Sequence, residues 1–430
     1  MNNIMFERPQ APKWDAILFC LILVLLMYEQ INFGHPLLSL YKVVIFPLSL
    51  FASYRLACLR PGNGLFVGVF AFVGLVFIVN LTYQQNLRDL ALPISMFLTA
   101  YYFSAYSIKY RLPRYLNWVI LFSSLPQILL FAVVQKYFIV WAYDEVVNST
   151  RFKGFASDPN FMCFILTASV VAGGLICLNR KQNRLFKNSV PNLALVVFAG
   201  TVILANVFII LQSGSRSGVL FLVLAAIFVF GARYGYAKVG VLVGVVGAFL
   251  YGTLRQLISF VRYSDSDSTF GQLLWRFKIL IEGNPNKSAN YGNYLFNDNR
   301  AYLWEHALPY LKEDLLFGHG RHWFMNEAGN YSHNSYIDLM LDCGTIAGGV
   351  LVVALFVLSI RMGITMLTAS RRIRPDLAFF AAFVPIYLSG MFFFSLSSPK
   401  FTWVVVTFLL LVNVGISESK RQAPRLVRMY

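Results

Sequence analysis

The chain has 430 residues, of which 58% are hydrophobic, 16% aromatic and only 13% charged. Because a soluble globular domain carries roughly 25% charged residues, this composition excludes an ordinary soluble protein and predicts an integral membrane protein. The net charge of +17 would suit a nucleic-acid-binding protein, but the basic residues lie between apolar runs, so no nucleic-acid partner is expected.

The first apolar run, residues 16–31, follows a short basic head and has the outline of a secretory signal. No small-residue cleavage site follows it at residues 32–35, and many similar runs come later in the chain. The run is therefore interpreted as the first transmembrane helix.

Similar apolar runs recur from end to end, and they are continuous, whereas the strands of a membrane barrel alternate. The expected fold is an all-α integral membrane protein, a single polytopic domain over residues 1–430. One large external loop, at about 254–335, contains short surface helices and separates the ninth helix from the tenth. The runs predict about twelve transmembrane helices, of which the eighth and the last are short for a crossing: 16–31, 37–54, 64–81, 90–107, 115–135, 159–178, 193–211, 217–232, 238–253, 336–360, 377–395 and 401–416.

Most of the 36 basic residues fall at one set of helix ends, as at Arg55, Arg184 and Arg372, and few lie in the short loops opposite. The positive-inside rule then predicts that both termini are cytoplasmic and that the loop at 254–335 is external. The five cysteines lie in or beside apolar segments without metal-ligand spacing, which predicts packing residues and no zinc site or disulfide framework.

The first external polar cluster, "RFKGFASDPNF", spans residues 151–161 before the sixth helix. Asp158-Pro159 is typical of a helix start, where aspartate caps the first turn and proline is tolerated. Arg151 and Lys153 have no such local explanation. They are either interfacial anchors or ligand-binding residues.

The second cluster, "QSGSRSGVLF", places Arg216 in a short external turn among small residues. Small residues let the backbone approach a ligand, and the planar guanidinium suits phosphate oxygens. An arginine in a turn is also common without any function.

The third cluster is the long loop, where helical periodicity runs from Ala301 to Leu316. Leu303, Ala307 and Leu311 share one stripe, which predicts a helix lying on or dipping into the membrane surface. The sequence 318–320, Gly-His-Gly, would end that helix and turn the chain back.

The loop ends in "NYSHNSY", so that His333 and Asn334 stand at the start of the tenth helix, which also carries Asp338 and Asp342. A histidine at this boundary is either structural or a ready general base. The two aspartates, one turn apart, could orient the histidine, bind sugar hydroxyls or pair with neighbouring basic residues.

The ordered set "RFKGFASDPN", "SGSRSG", "NRAYLW…LLFGHG" and "SHNSYIDLMLDCGTIAG" resembles the O-antigen polymerase and O-antigen ligase superfamily over residues of about 150–350. The resemblance implies a metal-independent, inverting glycosyltransferase of largely helical fold, without a cofactor, at the periplasmic face of the bacterial inner membrane. It implies Arg151, Arg216 and Arg300 as diphosphate-binding residues and His333 as the catalytic base. The sequence at Asp342 departs from the family pattern, so that its role is open, and Lys153, Asn334, Asp338 and Asp342 are expected to have supporting roles.

The implied partners are an undecaprenyl-diphosphate-linked oligosaccharide donor, a glycan or lipid A core acceptor, membrane lipids and a chain-length regulator protein. The resemblance implies arginines in place of a divalent cation. Arg151, Arg216 and His333 are expected to meet in one outward-facing cavity.

Polymerase and ligase remain alternatives, and the aromatic-rich loop and the "HNSYIDLMLDCGTIAGG" run favour the polymerase. A lipid-linked sugar transporter is a further alternative. It would favour repeated halves and charged residues buried mid-span, whereas here the basic residues of the clusters lie outside the spans and no repeat is visible.

Overall fold

The computed structural model describes residues 10–28, 40–56, 112–178, 189–245 and 300–357, with short gaps in the three longest ranges, and single positions at 99, 102, 103, 106, 110, 185, 379, 383 and 386. Within these ranges the chain is helical apart from turns and one two-stranded hairpin. It divides into two compact units. Unit 1 comprises Met1–Leu116, Leu303–Pro385 and Met391–Tyr430, and unit 2 comprises Asn117–Tyr302 and Ile386–Gly390.

Unit 1 begins with α1 (Lys13–Met27) and α2 (Phe46–Leu56), the latter preceded by a π-helical turn at Tyr41–Ile45. These helices correspond to the predicted runs 16–31 and 37–54. The Nε atom of Arg55 donates to Oδ1 of Asp15 at 3.0 Å, so that an ion pair joins the first turn of α1 to the last turn of α2.

The described part of unit 2 contains helices and the hairpin. Three of its helical segments, Leu116–Val134, Pro159–Leu178 and Asn192–Gln212, are long and apolar enough to cross a membrane. Twenty helical residues span about 30 Å, the thickness of the hydrocarbon core. The elements in chain order are α3 (Leu116–Phe122), α4 (Leu125–Lys136), β1 (Tyr143–Val146), β2 (Ser149–Phe152), α5 (Pro159–Leu178), α6 (Ser189–Gln212) and α7 (Arg216–Tyr234).

Two features of unit 2 differ from the sequence prediction. The expected helix 115–135 is interrupted between α3 and α4, because Pro126 has no N–H to donate to the preceding turn. The hairpin was not predicted. Its strands are antiparallel, with Asp144 opposite Arg151 and Tyr143 opposite Phe152.

A buried polar contact ties three helices of unit 2 together. Nδ2 of Asn206 on α6 donates to Oγ of Ser124 at 3.0 Å and to Oγ of Ser169 on α5 at 2.9 Å. All three side chains are fully buried. Interhelical hydrogen bonds of this kind hold membrane helices in register, since lipid offers no competing partner. The contact therefore fixes α5 and α6, whose ends carry the candidate site.

The later part of unit 1 packs α8 (Arg300–Tyr310), α9 (Trp323–Ala328) and α10 (Ser335–Cys343) around a small core. The predicted stripe on α8 exists and packs against a protein core, while the position of the helix at the membrane surface stays a prediction. Leu303 and Ala307 are covered by protein, and Leu311 is partly buried against the same cluster. The other members of this core are Phe324, Ile337 and Leu341.

The predicted helix 336–360 is broken at Gly344, which has φ of 87°. The Leu341 carbonyl accepts instead from the backbone N–H of His319 at 2.8 Å, and the N–H of Ile346 donates to the Leu315 carbonyl at 2.8 Å. Backbone groups freed within a membrane-facing helix need protein partners of this kind. The segment 311–319 therefore braces the break.

Several predictions fall outside the described residues, among them the helices at 64–81 and 401–416 and residues 254–299 of the predicted loop at 254–335. The count of twelve spans, the external loop and the single-domain organisation stay predictions.

Candidate functional site

Arg151 lies on β2, the strand that precedes α5. Phe152 beside it is buried and packs against Phe131 of α4, with ring centroids 5.0 Å apart. Because successive side chains of a strand point to opposite faces, Arg151 is directed away from this contact. Its Nε atom donates to the carbonyl oxygen of Ser213 at 3.1 Å, across 62 residues of sequence.

Ser213 opens the turn between α6 and α7, which ends at Arg216. Gly214 has φ of 62°, a conformation that glycine adopts at little cost. The Oγ atom of Ser215 then caps α7 by accepting from the N–H of Gly218 at 3.1 Å. Arg216 is the first residue of α7 and is half-buried. The predicted short polar turn is thus present.

Residues at the start of α5 form hydrogen bonds with the serines of the same turn. Oδ1 of Asn160 accepts from Ser215 Oγ at 2.6 Å and from Ser217 Oγ at 2.9 Å. One helical turn later, Sγ of Cys163 lies 3.1 Å from Ser213 Oγ. All three serines of the turn are buried.

Lys153 lies two residues after Arg151, in a tight turn whose backbone is held by Gln127 of α4 and by the 3-10 turn at Val140–Ala142. The N–H of Lys153 donates to the Ala142 carbonyl at 2.9 Å, and the N–H of Phe155 donates to Oε1 of Gln127 at 3.2 Å. Gly154 has φ of 59°, and a Cβ there would lie 1.9 Å from the Gln127 oxygen. Burial raises the pKa of the Tyr143 hydroxyl opposite Phe152, so that the phenol stays neutral here. Pro159 is the first residue of α5, as predicted, while Asp158 lies outside the described residues.

The structure therefore brings Arg151 to the turn that carries Arg216. Guanidinium groups, short polar side chains and the N-terminus of α7 meet at one end of unit 2. Such a set is suited to an anion with several oxygens, because charged donors and helix N–H groups both favour negative charge.

His333 occupies a second turn, in unit 1, between α9 and α10. It has φ of 53°, which makes it the non-glycine residue with positive φ within the described part of the chain. Residues on both sides are anchored. The indole Nε1 of Trp304 on α8 donates to the Ser332 carbonyl at 2.9 Å. Oδ1 of Asn334 caps α10 by accepting from the N–H groups of Tyr336 at 3.0 Å and Ile337 at 3.3 Å.

The acidic residues and Arg300 take positions on the neighbouring helices. Asp338 is buried and lies on the first turn of α10, while Asp342 is half-buried one turn later. Arg300 is the first residue of α8, one helical turn before Trp304. Within unit 1 the structure thus gathers His333, Asn334 and Asp338 around one helix start. The expected cavity shared with Arg151 and Arg216 stays a prediction.

No cluster of three or more histidine, cysteine or acidic side chains that would hold a metal ion occurs among the described residues.

Comparison with known proteins bears on the region that holds most of these residues. Residues 199–353 match the family model for O-antigen ligase. This match confirms the resemblance to the O-antigen polymerase and ligase superfamily, and it supports an activity of that general type. Together with the apolar helices it indicates a multi-pass membrane protein. The matched segment includes Arg216 and His333 but begins after Arg151. No curated protein sequence matches the chain significantly.

Two anchoring residues escaped the sequence analysis. Trp304 closes the quoted run "NRAYLW" without a predicted role, and Gln127 lies in no quoted motif. The hydrogen bond of each joins segments 28 residues apart. Asn160 lay within a quoted motif, but its position after a proline at a helix start gave no sign of its partners.

Proposed function

We propose that the chain is an inverting, metal-independent glycosyltransferase that acts on undecaprenyl-diphosphate-linked glycans at the periplasmic face of the inner membrane. The polymerase of an O-antigen or related surface polysaccharide is our leading assignment. The contact from Arg151 to the Ser213 carbonyl carries this proposal, because it brings Arg151 to the turn that holds Arg216, the second predicted cationic residue, 65 positions later in sequence. The family match over residues 199–353 supports the same reaction class.

In the proposed reaction the donor is a glycan joined through its anomeric carbon to the lipid diphosphate. The bond between that carbon and the phosphate oxygen breaks, and negative charge develops on the leaving diphosphate. Arg151 and Arg216 stabilise this charge with directed N–H groups, in the role that a divalent cation fills elsewhere. We propose Arg300 as a third such residue, and Lys153 adds positive charge beside Arg151.

The acceptor hydroxyl attacks the anomeric carbon from the face opposite the leaving group, which inverts its configuration. His333 removes the hydroxyl proton as the new carbon–oxygen bond forms. Its left-handed backbone, held between Ser332 and Asn334, supports this assignment, since strained conformations persist where the surroundings impose them and cluster at functional sites. Asp338 and Asp342 orient the imidazole or bind sugar hydroxyls.

The membrane arrangement belongs to the same proposal. We propose about twelve spans, cytoplasmic termini and a periplasmic loop at about 254–335, supported by the distribution of basic residues. The partners would be the lipid-linked donor, the acceptor glycan, surrounding lipids and a chain-length regulator protein.

A ligase that transfers the finished glycan to lipid A core is the second candidate, favoured by the description of the matched family as O-antigen ligase. The two candidates differ in their deletion strains. Loss of a polymerase leaves lipid A core bearing one repeat unit, whereas loss of a ligase leaves a bare core and long chains on undecaprenyl diphosphate.

The direct experiment returns variants to the deletion strain and compares their lipopolysaccharide on gels at matched membrane levels. Arg151→Ala, Arg216→Ala and His333→Ala should give the profile of the deletion strain. Lys312→Ala, which removes an exposed charge from the turn after α8, should give the profile of the intact strain. Normal long-chain glycan from either arginine variant or from His333→Ala would refute the corresponding assignment.

A further inference from the structure

Asn160, at the second position of α5, holds the serines on either side of Arg216. Its Oδ1 atom accepts from Ser215 Oγ at 2.6 Å and from Ser217 Oγ at 2.9 Å. Ser215 is also the cap of α7, so that the same hydroxyl group connects Asn160 to the N–H of Gly218. We infer that Asn160 is a positioning residue that sets where Arg216 presents its guanidinium group to the substrate diphosphate. This inference rests on the proposed function.

The close approach of α5 and α7 makes this contact rigid. A Cβ on Gly218 would lie 2.8 Å from Sγ of Cys163, so that glycine lets the first turns of the two helices touch. Cys163 lies one helical turn after Asn160 and contacts Ser213 on the same turn of chain. Arg216 therefore stands between two anchored serines and has little backbone freedom.

The neutral amide explains why asparagine suits this place. A carboxylate could accept the same two hydroxyl bonds, but it would add a negative charge beside two cationic residues. That charge would repel an anionic ligand and offset the arginines. An amide oxygen supplies the anchoring bonds and leaves the positive charge available to the diphosphate.

Binding of geranylgeranyl diphosphate to the detergent-solubilised full-length chain tests the inference, with thermal unfolding as the measure of folding. Loss of hydrogen bonds of this strength should weaken affinity for Asn160→Ala by about 3- to 10-fold. Ser217→Ala, which removes one of the two bonds, should weaken it by about 2- to 4-fold. The double variant should bind no worse than Asn160→Ala, because both residues act through the same contact.

Asn160→Asp tests the charge argument, since it places a negative charge beside the arginines without removing an acceptor oxygen. It keeps the acceptor oxygens and should unfold at the temperature of the intact protein, yet it should bind the diphosphate at least about 3-fold more weakly. Asn192→Ala is the matched control. Asn192 likewise accepts a hydrogen bond at its Oδ1 atom, in this case from the backbone N–H of Leu185 at 3.2 Å. It lies at the other end of α6, and its variant should bind normally.

The outcomes distinguish the inference from the function on which it rests. If Arg216→Ala loses affinity while Asn160→Ala and Asn160→Asp bind like the intact protein, the inference is overturned and the proposed function stands. Effects of Asn160→Ala and Ser217→Ala that multiply in the double variant would also overturn it, because Asn160 would then contact the ligand itself. If Arg216→Ala binds normally, both fail. Should Asn160→Ala not fold, Asn160→Asp and Ser217→Ala carry the test alone.

Discussion

Two turns carry the candidate residues: Ser213–Arg216, called the arginine turn, and Ser332–Asn334, called the histidine turn. They differ in which residue takes the left-handed backbone conformation. Each precedes a capped helix, each contains a left-handed residue, and each accepts a hydrogen bond at a backbone carbonyl from a distant side chain. In the first turn the left-handed residue is Gly214, and Arg216 follows in ordinary helical geometry. In the second turn the left-handed residue is His333 itself.

This difference indicates how much backbone strain each candidate residue bears. Glycine takes the left-handed conformation at almost no cost, so that the arginine turn is relaxed. A side chain in that conformation costs roughly 1–2 kcal/mol, which contacts from Trp304 and Asn334 must offset. The arginine turn should therefore tolerate loss of its functional side chain without a change in stability, whereas the histidine turn should become more stable when its strain is removed.

The largest expected effect is on transfer itself. Arg216→Ala should lower the initial rate of glycan transfer about 100-fold or more, the usual effect of removing a donor to developing negative charge. Arg216→Lys keeps the charge but loses the planar fork, and should recover only part of the rate. Rates measured with purified chain and lipid-linked glycan check this. Full activity of Arg216→Ala would contradict the role given to the arginine turn.

The second-largest effect is expected on stability, where the segment 311–319 braces the break at Gly344. Gly318 has φ of 70°, and a Cβ there would lie 2.3 Å from the backbone nitrogen of Gly344. Gly318→Ala should therefore destabilise unit 1 by about 2–3 kcal/mol. Gly349→Ala is the control, because a Cβ at Gly349 meets nothing within 4 Å. Equal melting temperatures for the two variants in detergent would show that the brace is not formed.

Trp304 should matter for transfer more than for donor binding. Trp304→Phe keeps the apolar contacts of α8 but removes the N–H that holds the Ser332 carbonyl. A loss of about 1–2 kcal/mol in positioning His333 predicts roughly tenfold slower transfer with little change in donor affinity. Trp323→Phe, in the same cluster, provides the matched substitution. Similar kinetics for both variants would argue against this role of Trp304.

The smallest effect concerns the strain at His333. Both His333→Ala and His333→Gly remove the imidazole, but only glycine relieves the left-handed backbone. His333→Gly should therefore be more stable than His333→Ala by about 1 kcal/mol, measured by thermal or denaturant unfolding in the same detergent. A less stable glycine variant would mean that the residue is not strained in this way.

The sequence predicted much of the helical framework and less of what connects it. Pro159–Leu178 matches the predicted 159–178, because a proline marks its start and a long apolar run fixes its length. The hairpin at 143–152 escaped prediction because its short strands are rich in polar residues and depend on packing by Phe131. The break at Gly344 escaped prediction because an isolated glycine is tolerated inside helices, and distant contacts with the segment 311–319 fix the break here.

In the candidate site, too, the sequence predicted some residues and missed those that hold them in place. Charged and titratable groups are conspicuous beside apolar runs, which made Arg151, Arg216 and His333 candidates, and the resemblance of the ordered motifs to the O-antigen polymerase and ligase superfamily implied their roles. Their anchors Asn160, Trp304 and Gln127 are ordinary polar or aromatic residues whose partners lie 28 or more positions away. Nothing local in the sequence distinguishes such residues from those that simply pack.

The central claim is that the arginine turn binds the donor diphosphate and the histidine turn serves the transfer step. Measuring donor affinity and transfer rate on the same variants tests this claim directly. In lipid nanodiscs with undecaprenyl-diphosphate-linked repeat units, Arg216→Ala should lose donor affinity. His333→Ala should bind donor within about threefold of the intact protein yet transfer at least about 100-fold more slowly. Donor binding that survives in Arg216→Ala and disappears in His333→Ala would contradict the account.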